Sequence, residues 1–316
     1  MGDCSATGGG GPGDAAQRPD LQEYIAQKRR AVEEFLRRVL PPPETLPAKL
    51  HEAVRYAALA GGKRLRPTLA LAVCETLGGP ADACLPVAAA VELIHASSLI
   101  HDDLPCMDDA DMRHGKPACH KVFGEALAVL AGDWLLIFPF VLISTPALSP
   151  GLDDAVRLAL VRELSHAVGS EGIIGGQVLD IDSHAARYDG PALEALHRRK
   201  TGRLIVAAAR CGALVARAPE NTLAAITRFA THLGLAYQIA DDVLDATGRE
   251  ETLGKPVGSD AALEKATYVT VYGLERAREL AREQAQLAHH ALREAPACAD
   301  ASLLHALIDF CVTRSY

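Results

Sequence analysis

The sequence predicts an all-α protein, and three observations support this fold class. The 316 residues are 49% hydrophobic but only 4% aromatic, so the core must be aliphatic, and the dominant residues Ala and Leu are good helix formers. Alternating strand patterns are hard to find, whereas short breakers that contain Gly or Pro separate the apolar stretches. Between residues 151 and 316 only four prolines occur, which leaves long intervals for uninterrupted helices.

The first predicted helix covers residues 21–40. Its apolar residues recur at intervals of three and four among Lys, Arg and Glu, which is typical of an amphipathic helix, and the prolines at 41–43 end it. After Pro47 the chain alternates between stretches rich in Ala, Leu and Val and short breakers, so we expect helix–loop–helix connections throughout. The breakers lie at residues 61–62, 78–80, 115–117, 149–151 and 189–191.

One domain is expected over residues 21–316, because no Pro/Ser/Gly-rich linker and no fixed-period repeat divides the chain after residue 47. Residues 1–20 are rich in Gly, Asp and Ala, and we expect a disordered tail there. They lack the pattern of a targeting segment. We expect a plastid location if the chain is a trimmed plant protein, and a cytoplasmic one otherwise.

Composition argues against several functions. A formal charge of -8 gives no general basic surface, so neither nucleic acid nor an anionic membrane is an expected partner. The eight cysteines lack CxxC or CxxH spacing and predict neither a disulfide framework nor a zinc site. The longest apolar run, residues 134–144, is half of the roughly 20 residues that cross a bilayer, so no membrane span is predicted.

Five Asp residues fall within residues 102–111, directly after an apolar helical stretch at 85–99. Carboxylates this close repel one another unless they are solvated or bridged by a hard cation, and Mg²⁺ takes carboxylate oxygens together with substrate phosphates. Pro105 is expected to interrupt the helix, so that the carboxylates before and after it can converge. This segment is the first candidate metal site.

A second acidic cluster, Asp241, Asp242 and Asp245, follows the apolar run at residues 224–240. Asp241 and Asp245 lie on one helix face, with Asp242 one step around. A single cluster of this kind is most simply a solvated helix end. Two clusters, about 140 residues apart and each after an apolar helix, indicate a site that grips one diphosphate from both sides through several Mg²⁺ ions.

At these residues the chain resembles the trans-isoprenyl diphosphate synthases, especially the plant and bacterial geranylgeranyl diphosphate synthases. The resemblance extends from about residue 22 to the C-terminus and rests on an ordered series of motifs. Besides the two acidic clusters, these are GGKRLRP at 61–67, GGQVLD at 175–180, KTG at 200–202, and LGK at 253–255 followed by Lys265. The resemblance implies a single-domain, isoprenoid-synthase-type helical bundle with a deep central cavity.

The resemblance also implies a role for each motif. The carboxylates that it assigns to about three Mg²⁺ ions are Asp102, Asp103 and Asp108 in the first cluster and Asp241, Asp242 and Asp245 in the second. The residues that it assigns to the allylic diphosphate are Arg113, Lys200, Thr201, Gln238, Lys255 and Lys265. The residues that it assigns to isopentenyl diphosphate are Lys63, Arg66 and His95.

The chemistry of these side chains suits a prenyl transfer. Ionisation of a C–O bond to an allylic cation releases pyrophosphate, and Mg²⁺ with Lys and Arg side chains can stabilise the developing charge. The double bond of isopentenyl diphosphate then attacks the cation, and loss of a proton completes the elongation. The implied catalytic residues are Asp102, Asp103, Asp108, Asp241, Asp242 and Lys200.

Three residues bear on substrate binding and product length. The family usually has two adjacent arginines after the first Asp motif, whereas this chain has Arg113 followed by His114. His114, with a reference pKa of about 6.5, cannot match the second arginine, so we predict weaker binding of isopentenyl diphosphate. In the family that this chain resembles, product length depends on the bulk of the side chains just before the first Asp motif, where the growing prenyl tail enters the pocket. Ser97 and Ser98 are small and are predicted to leave the floor of this pocket open, which favours the C20 product geranylgeranyl diphosphate over C15.

Two other functions fit part of the pattern. A weakly active or non-catalytic partner subunit of a heteromeric synthase would share the fold, but both Asp motifs are complete here. A class I terpene cyclase also uses DDxxD and Mg²⁺, but cyclases need aromatic faces and have no use for a second diphosphate site at Lys63 and Arg66. We expect a homodimer, or a heteromer with a related subunit, that acts on isopentenyl diphosphate and on dimethylallyl, geranyl and farnesyl diphosphates.

Overall fold

The computed structural model describes residues 20–182, 188–247, 266–296, 298 and 300–313, which form a helical bundle with one short hairpin. The helices are α1 (Leu21–Val39), α2 (Ala48–Ala58), α3 (Leu65–Thr76), α4 (Ala81–Asp102), α5 (Cys119–Phe123), α6 (Glu125–Ser144), α7 (Asp154–Val168), α8 (Ile173–Ile181), α9 (Gly190–His197), α10 (Arg203–Val215), α11 (Glu220–Thr247), α12 (Tyr268–Tyr272), α13 (Leu274–Arg293) and α14 (Ser302–Thr313). The strands are β1 (Met112–Arg113) and β2 (Lys116–Pro117), and a π-helical turn (Arg198–Gly202) joins α9 to α10.

The all-α fold class predicted from the sequence is confirmed. Helix α1 begins where Asp20 caps it, since the Gln22 N–H donates to Asp20 Oδ1 at 3.0 Å. The helix buries Val32, Phe35 and Leu36 and ends before the three prolines. The predicted tail, apart from Asp20, lies outside the described residues.

Helix α4 is the core of the bundle, and it packs against α3, α6 and α10. Ala88, Ala89 and Ala90 are completely buried, and their small side chains let neighbouring helices approach closely. By length and composition alone α4 and α6 could cross a membrane, but 78% of the apolar window of α4 is buried in the bundle and 39% of that of α6. Two such helices among the described residues are weak grounds for a membrane span, and none is indicated.

The second half of the chain contains the long helices expected from its few prolines. Residues 190–215 run through α9, the π turn and α10 without a break, and α11 extends over 28 residues along α13. Asp189 caps α9 through the Ala192 N–H at 3.0 Å. The short α12 packs against α9 and α13 in a small apolar cluster that includes Leu193 and Tyr268.

The expectation of helix–loop–helix connections throughout is wrong at residues 115–117. This breaker belongs to an antiparallel hairpin in which Met112 pairs with Pro117 and Arg113 with Lys116. His114 and Gly115 form its turn with φ of 51° and 73°. Two consecutive residues at positive φ are what a tight two-residue hairpin turn requires, so the breaker reverses the chain instead of linking two helices.

Candidate active site

The first acidic cluster lies where α4 ends. Asp102 is the last residue of α4, and Asp103, only 2% exposed, follows as its cap. The chain then turns back on itself: the Asp108 N–H donates to the Asp102 carbonyl at 2.9 Å, and the Ala110 N–H donates to the Asp103 carbonyl at 3.2 Å. Pro105 lies within this turn, where its missing N–H costs no helical hydrogen bond. The turn brings the backbone of Asp108 beside Asp102.

Arg113, on strand β1, contacts the first acidic cluster. Arg113 Nε donates to both carboxylate oxygens of Asp103, at 3.0 and 3.2 Å, and Nη2 donates to Oδ1. Burial raises the pKa of Asp103, and the Arg113 guanidinium opposes that rise. The hairpin that sequence reasoning missed is therefore the element that positions a predicted substrate-binding residue.

The basic motif forms the loop between α2 and α3. Gly61 and Gly62 adopt φ of 101° and 102°, a conformation that favours glycine. Because neither residue has a side chain, their backbone amides are not covered. A Cβ on Gly62 would lie 3.3 Å from the His114 imidazole, so the loop and the hairpin turn are neighbours. Lys63 is exposed at the tip of this loop. The structure thus brings together two segments assigned to isopentenyl diphosphate.

Within this motif Arg64 and Arg66 face different partners. Arg64 is buried, forms an ion pair with Glu92 inside the bundle, and donates to the Ala58 carbonyl at 2.7 Å. Arg66 Nη1 lies 3.2 Å from His95 Nε2, and burial lowers the pKa of His95 well below its usual value. A neutral imidazole accepts this hydrogen bond. Arg64 is therefore structural, whereas Arg66 and His95, both assigned to isopentenyl diphosphate, lie side by side.

The π turn between α9 and α10 connects the two acidic clusters. Lys200 Nζ lies 2.5 Å from Asp180 Oδ2 on α8 and 4.0 Å from Asp102 Oδ2. Thr201 Oγ1 donates to Gln238 Oε1 at 2.7 Å, and Gln238 Nε2 donates to Asp242 Oδ1 at 2.8 Å. These contacts form one path from the first cluster to the second. A single π-helical turn inside a helix often marks a functional site.

A glycine lets α8 approach this turn. A Cβ on Gly176 would lie 2.3 Å from the Lys200 backbone nitrogen, too close for any side chain. The next residue, Gln177, reaches across to the first cluster, with Nε2 3.9 Å from Met107 Sδ. The GGQVLD motif therefore supplies both the close approach and the Asp180 partner of Lys200.

The second acidic cluster lies near the end of α11. Asp242 and Asp245 are 3% and 5% exposed, and Asp241 is half-buried. Asp242 Oδ2 also accepts the Tyr268 backbone N–H at 2.8 Å, so α12 holds this carboxylate from the side opposite Gln238. The predicted diphosphate ligands Lys255 and Lys265 lie outside the described residues.

The two serines ahead of the first cluster have different environments. Ser97 is 2% exposed, and its Oγ donates to the Gly132 carbonyl on α6 at 2.8 Å. Ser98 is half-buried, and its Oγ donates to the His95 carbonyl one turn back at 2.9 Å. Ser97 is therefore enclosed in the contact between α4 and α6, whereas Ser98 keeps part of its surface accessible.

A narrow cleft opens beside the first cluster, between α2, α4 and the hairpin. Asp103, Arg113 and His114 line its polar end, and Ala96 and Leu99 line part of its apolar wall. Cys119 also lines the cleft, and burial, together with the nearby Asp103 carboxylate, raises the pKa of this thiol to about 11. The thiol therefore stays neutral and contributes an apolar surface.

Residues outside the predicted set also shape the site. Asp180 belongs to a recognised motif but was given no role, and it turns out to hold Lys200. His197 is 7% exposed, and burial lowers its pKa to about 4. Its Nε2 lies 3.9 Å from Asp242 Oδ2, and its ring stacks on Tyr268. No sequence signal could have shown that these residues from α8, α9 and α12 meet.

The side chains present fit Mg²⁺ as a ligand. The six Asp residues offer only hard carboxylate oxygens, and Mg²⁺ is usually bound by one or two carboxylates together with substrate phosphates rather than by a dedicated protein cage. Accordingly, within the described ranges no group of three or more His, Cys, Asp or Glu side chains forms a ready-made metal cage. Such a donor set suits an ion that arrives with a diphosphate.

The chain matches known proteins over most of its length. Residues 47–304 match the family model described as Polyprenyl synthetase. The chain is 44% identical over 267 residues to the chloroplastic heterodimeric geranylgeranyl pyrophosphate synthase large subunit 1 of Arabidopsis thaliana, covering 84% of this chain and 71% of that protein. It is also 44% identical over 275 residues to a farnesyl diphosphate synthase of Geobacillus stearothermophilus, covering 87% and 92%.

Solved structures share the fold. The geranyltransferase of Helicobacter pylori, complexed with magnesium and isoprenyl diphosphate, matches with a TM-score of 0.82 at 32% identity, covering 94% of this chain and 98% of that one. An FPP/GFPP synthase from Zymomonas mobilis matches with a TM-score of 0.81 at 35% identity, covering 93% and 99%.

Proposed function

The chain belongs to the polyprenyl synthetase family and is a prenyl diphosphate synthase, and we propose that it makes geranylgeranyl diphosphate in a magnesium-dependent reaction. The allylic substrates are dimethylallyl, geranyl and farnesyl diphosphates, each extended by isopentenyl diphosphate. One observation carries the proposal: Lys200, Thr201 and Gln238 link an Asp of the first cluster to an Asp of the second. A diphosphate bound at the π turn would have carboxylates on both sides.

The allylic diphosphate is held by cations and neutral donors. Arg113, Lys200, Thr201 and Gln238 supply these groups, with Lys255 and Lys265 added by the family resemblance. Asp102, Asp103, Asp108, Asp241, Asp242 and Asp245 would hold Mg²⁺, which when bound neutralises charge on the departing pyrophosphate. Because Lys200 and Arg113 are already held by Asp180 and Asp103, these cations are positioned before the C–O bond breaks.

Isopentenyl diphosphate is held on the other side of the first cluster. Lys63 and Arg66 offer the positive charge, and His95 fixes the Arg66 guanidinium from behind. Burial, together with the nearby Arg113 and Arg64, lowers the pKa of His114. The neutral imidazole adds no charge to this side of the site, which supports weaker binding of isopentenyl diphosphate than an arginine would give.

The C20 product is proposed from the small side chains ahead of the first cluster. Replacing the accessible Ser98 with Phe should shorten the main product from C20 to C15, because an aromatic ring would close the floor of the cavity. The measurement is chromatography of the dephosphorylated products. Ser97→Ala, which removes only a hydroxyl enclosed between α4 and α6, is the matched control and should still give C20. Identical products from wild type and Ser98→Phe would contradict the floor model.

The decisive test of the function uses the purified chain alone. Incubated with Mg²⁺, farnesyl diphosphate and isopentenyl diphosphate, it should release geranylgeranyl diphosphate, and chelation of Mg²⁺ should abolish the product. A product that stops at C15 from shorter starters would overturn the C20 assignment. No product without a second subunit would show instead that the chain is a partner subunit of a heteromer.

A homodimer is proposed from the outer face of α6. Leu130, Ile137 and Val141 are 56%, 60% and 44% exposed, and they form an apolar stripe that the exposed Asp133 interrupts. Such a stripe matches a second copy of itself about a twofold axis. Light scattering should give twice the chain mass, and Ile137→Glu should shift the protein towards a monomer.

A further inference from the structure

A surface cavity lies beside the π turn that joins α9 to α10. The described residues that line it include three arginines, one acid and two apolar side chains, namely Arg198, Arg199, Arg203, Glu171, Val206 and Leu235. Lys200 and Thr201 lie in the same turn, but their side chains contact Asp180 and Gln238, and neither lines this cavity. The turn therefore has a second cationic face, to which neither substrate is assigned.

The geometry of the π turn brings these arginines to one cavity. Backbone hydrogen bonds in a π-helix join residues five apart, so the turn contains more residues than the 3.6 of an α-helix. Arg198 and Arg203 are five residues apart, and Arg199 and Arg203 are four apart. All three line the cavity, whereas Lys200, which lies between them in sequence, donates to Asp180 on α8. The turn thus presents cations in two directions.

Two of these positive charges are poorly balanced. Arg199 Nη1 donates to the Ala195 carbonyl at 2.9 Å, which satisfies one N–H but does not neutralise the guanidinium. Among the described residues, Arg203 has one acidic partner, Glu171, at 4.0 Å, and the side chain of Glu171 is 73% exposed, so the attraction is weak. Two half-buried guanidiniums that face one cavity repel each other unless an anion binds between them.

The ligand that fits these groups is a diphosphate. A guanidinium carries five N–H donors in a planar fork that matches phosphate oxygens, and two such forks suit an anion with several charges. Arg198, whose Nε donates to Glu194 Oε1 at 2.7 Å, adds a third charge that is already partly offset. The apolar wall is small, because Val206 and Leu235 are only 6% and 2% exposed, so it offers little surface to a prenyl tail.

We propose that this cavity binds a diphosphate anion, with Arg199 and Arg203 as its main ligands. Free pyrophosphate is the source that the small apolar wall favours, and the head group of a prenyl diphosphate is the alternative source. The site lies on the other side of the turn from Lys200 and Asp180, so it is separate from the diphosphate site between the two acidic clusters. It requires no turnover and therefore does not rest on the proposed function.

Equilibrium dialysis with ³²P-pyrophosphate, without divalent cations, measures this site. The double variant Arg199→Ala/Arg203→Ala should bind one equivalent of pyrophosphate per chain fewer than wild type. Arg282→Ala is the matched control, because Arg282 Nε also donates to a carbonyl four residues back, that of Arg278 at 3.3 Å, but on the exposed face of α13. It should bind as wild type does. Equal stoichiometry in wild type and the double variant would overturn the inference.

A second variant covers the case in which the double variant fails to fold. Glu171→Gln changes an exposed side chain and removes the carboxylate that competes with the ligand for Arg203. It should tighten pyrophosphate binding about two- to fivefold, the size expected for losing a weak exposed ion pair. Unchanged or weaker binding by Glu171→Gln would overturn the inference.

Three ligands identify the source of the diphosphate. If geranylgeranyl thiodiphosphate and pyrophosphate lose the same equivalent in the double variant, the site recognises the diphosphate group from either source. A loss confined to one of the two ligands assigns the site to that source. Sulfate tests for a general anion site: sulfate that displaces pyrophosphate at equal concentration would overturn the assignment to a diphosphate.

Discussion

The two acidic clusters resemble each other in sequence but are held in different ways. Asp103 follows the end of a helix and is gripped by the Arg113 guanidinium from a hairpin. Asp242 lies inside a helix and is gripped by the neutral amide of Gln238 and the backbone N–H of Tyr268. The first contact partly offsets a negative charge, whereas the second contacts fix an orientation. Two clusters with similar Asp patterns can therefore differ in how the kinetics change when one carboxylate is neutralised.

Neutralising either carboxylate should give the largest effect. Asp103→Asn and Asp242→Asn should each lower kcat about 100- to 1000-fold, since each removes a carboxylate that would hold the Mg²⁺ needed to neutralise the departing pyrophosphate. Only Asp103→Asn should also raise the KM for the allylic diphosphate, because it releases Arg113. Steady-state kinetics with farnesyl diphosphate would measure both constants. Asp111→Asn, which disturbs only an exposed pair with Lys121, is the control.

An equal rise of the allylic KM in both variants would break the comparison, because the guanidinium would then contribute nothing special to the first cluster. An unchanged kcat in either variant would remove that residue from the reaction.

Restoring the second arginine should sharpen the role of the hairpin. His114→Arg should lower the KM for isopentenyl diphosphate about three- to tenfold, a modest gain because this hairpin residue is only partly buried and the solvent that reaches it screens the charge. The pKa of His114 is lowered, so the imidazole gains a proton only below its usual range. The wild-type KM should therefore approach that of the variant only at a pH below the usual range of an imidazole.

Parallel pH profiles of the two proteins would measure this, because ionisation of the substrate affects both equally. A constant ratio between the two KM values from pH 5 to 8 would contradict the role of His114.

Disturbing the contact between α8 and the π turn that joins the two clusters should give the smallest effect, and mainly on thermal stability. Gly176→Ala places a Cβ 2.3 Å from the Lys200 nitrogen and should destabilise the fold by about 1–3 kcal/mol. Gly202 lies in the π turn that contains Lys200, and a Cβ there would meet only an ordinary contact at 3.4 Å. Gly202→Ala should therefore not lower the melting temperature. Thermal unfolding of both variants measures the difference, and equal melting temperatures would mean that α8 yields to the methyl group.

Much of the site could be predicted from the sequence because its functional groups lie on residues that are neighbours in the chain. Asp102 with Asp103, Lys200 with Thr201, and the Gly61–Gly62 pair are each defined by neighbours in the chain. Helix boundaries also depend on residues that are close in sequence, since Asp20 and Asp189 cap helices and prolines end them. The hairpin was missed because its two strands are only two residues long, and such strands carry no periodic signal.

What the sequence by itself determined is the helical class, the two acidic clusters and the set of cations around them, because periodicity, breakers and charge are properties of short segments. Only the tertiary structure decided which side chains meet. The Lys200–Asp180 pair, the Arg64–Glu92 pair inside the bundle, and the approach of His197 to Asp242 join helices far apart in the chain. The physical reason is that these contacts depend on how helices pack, and packing is set by the shapes of many buried side chains at once.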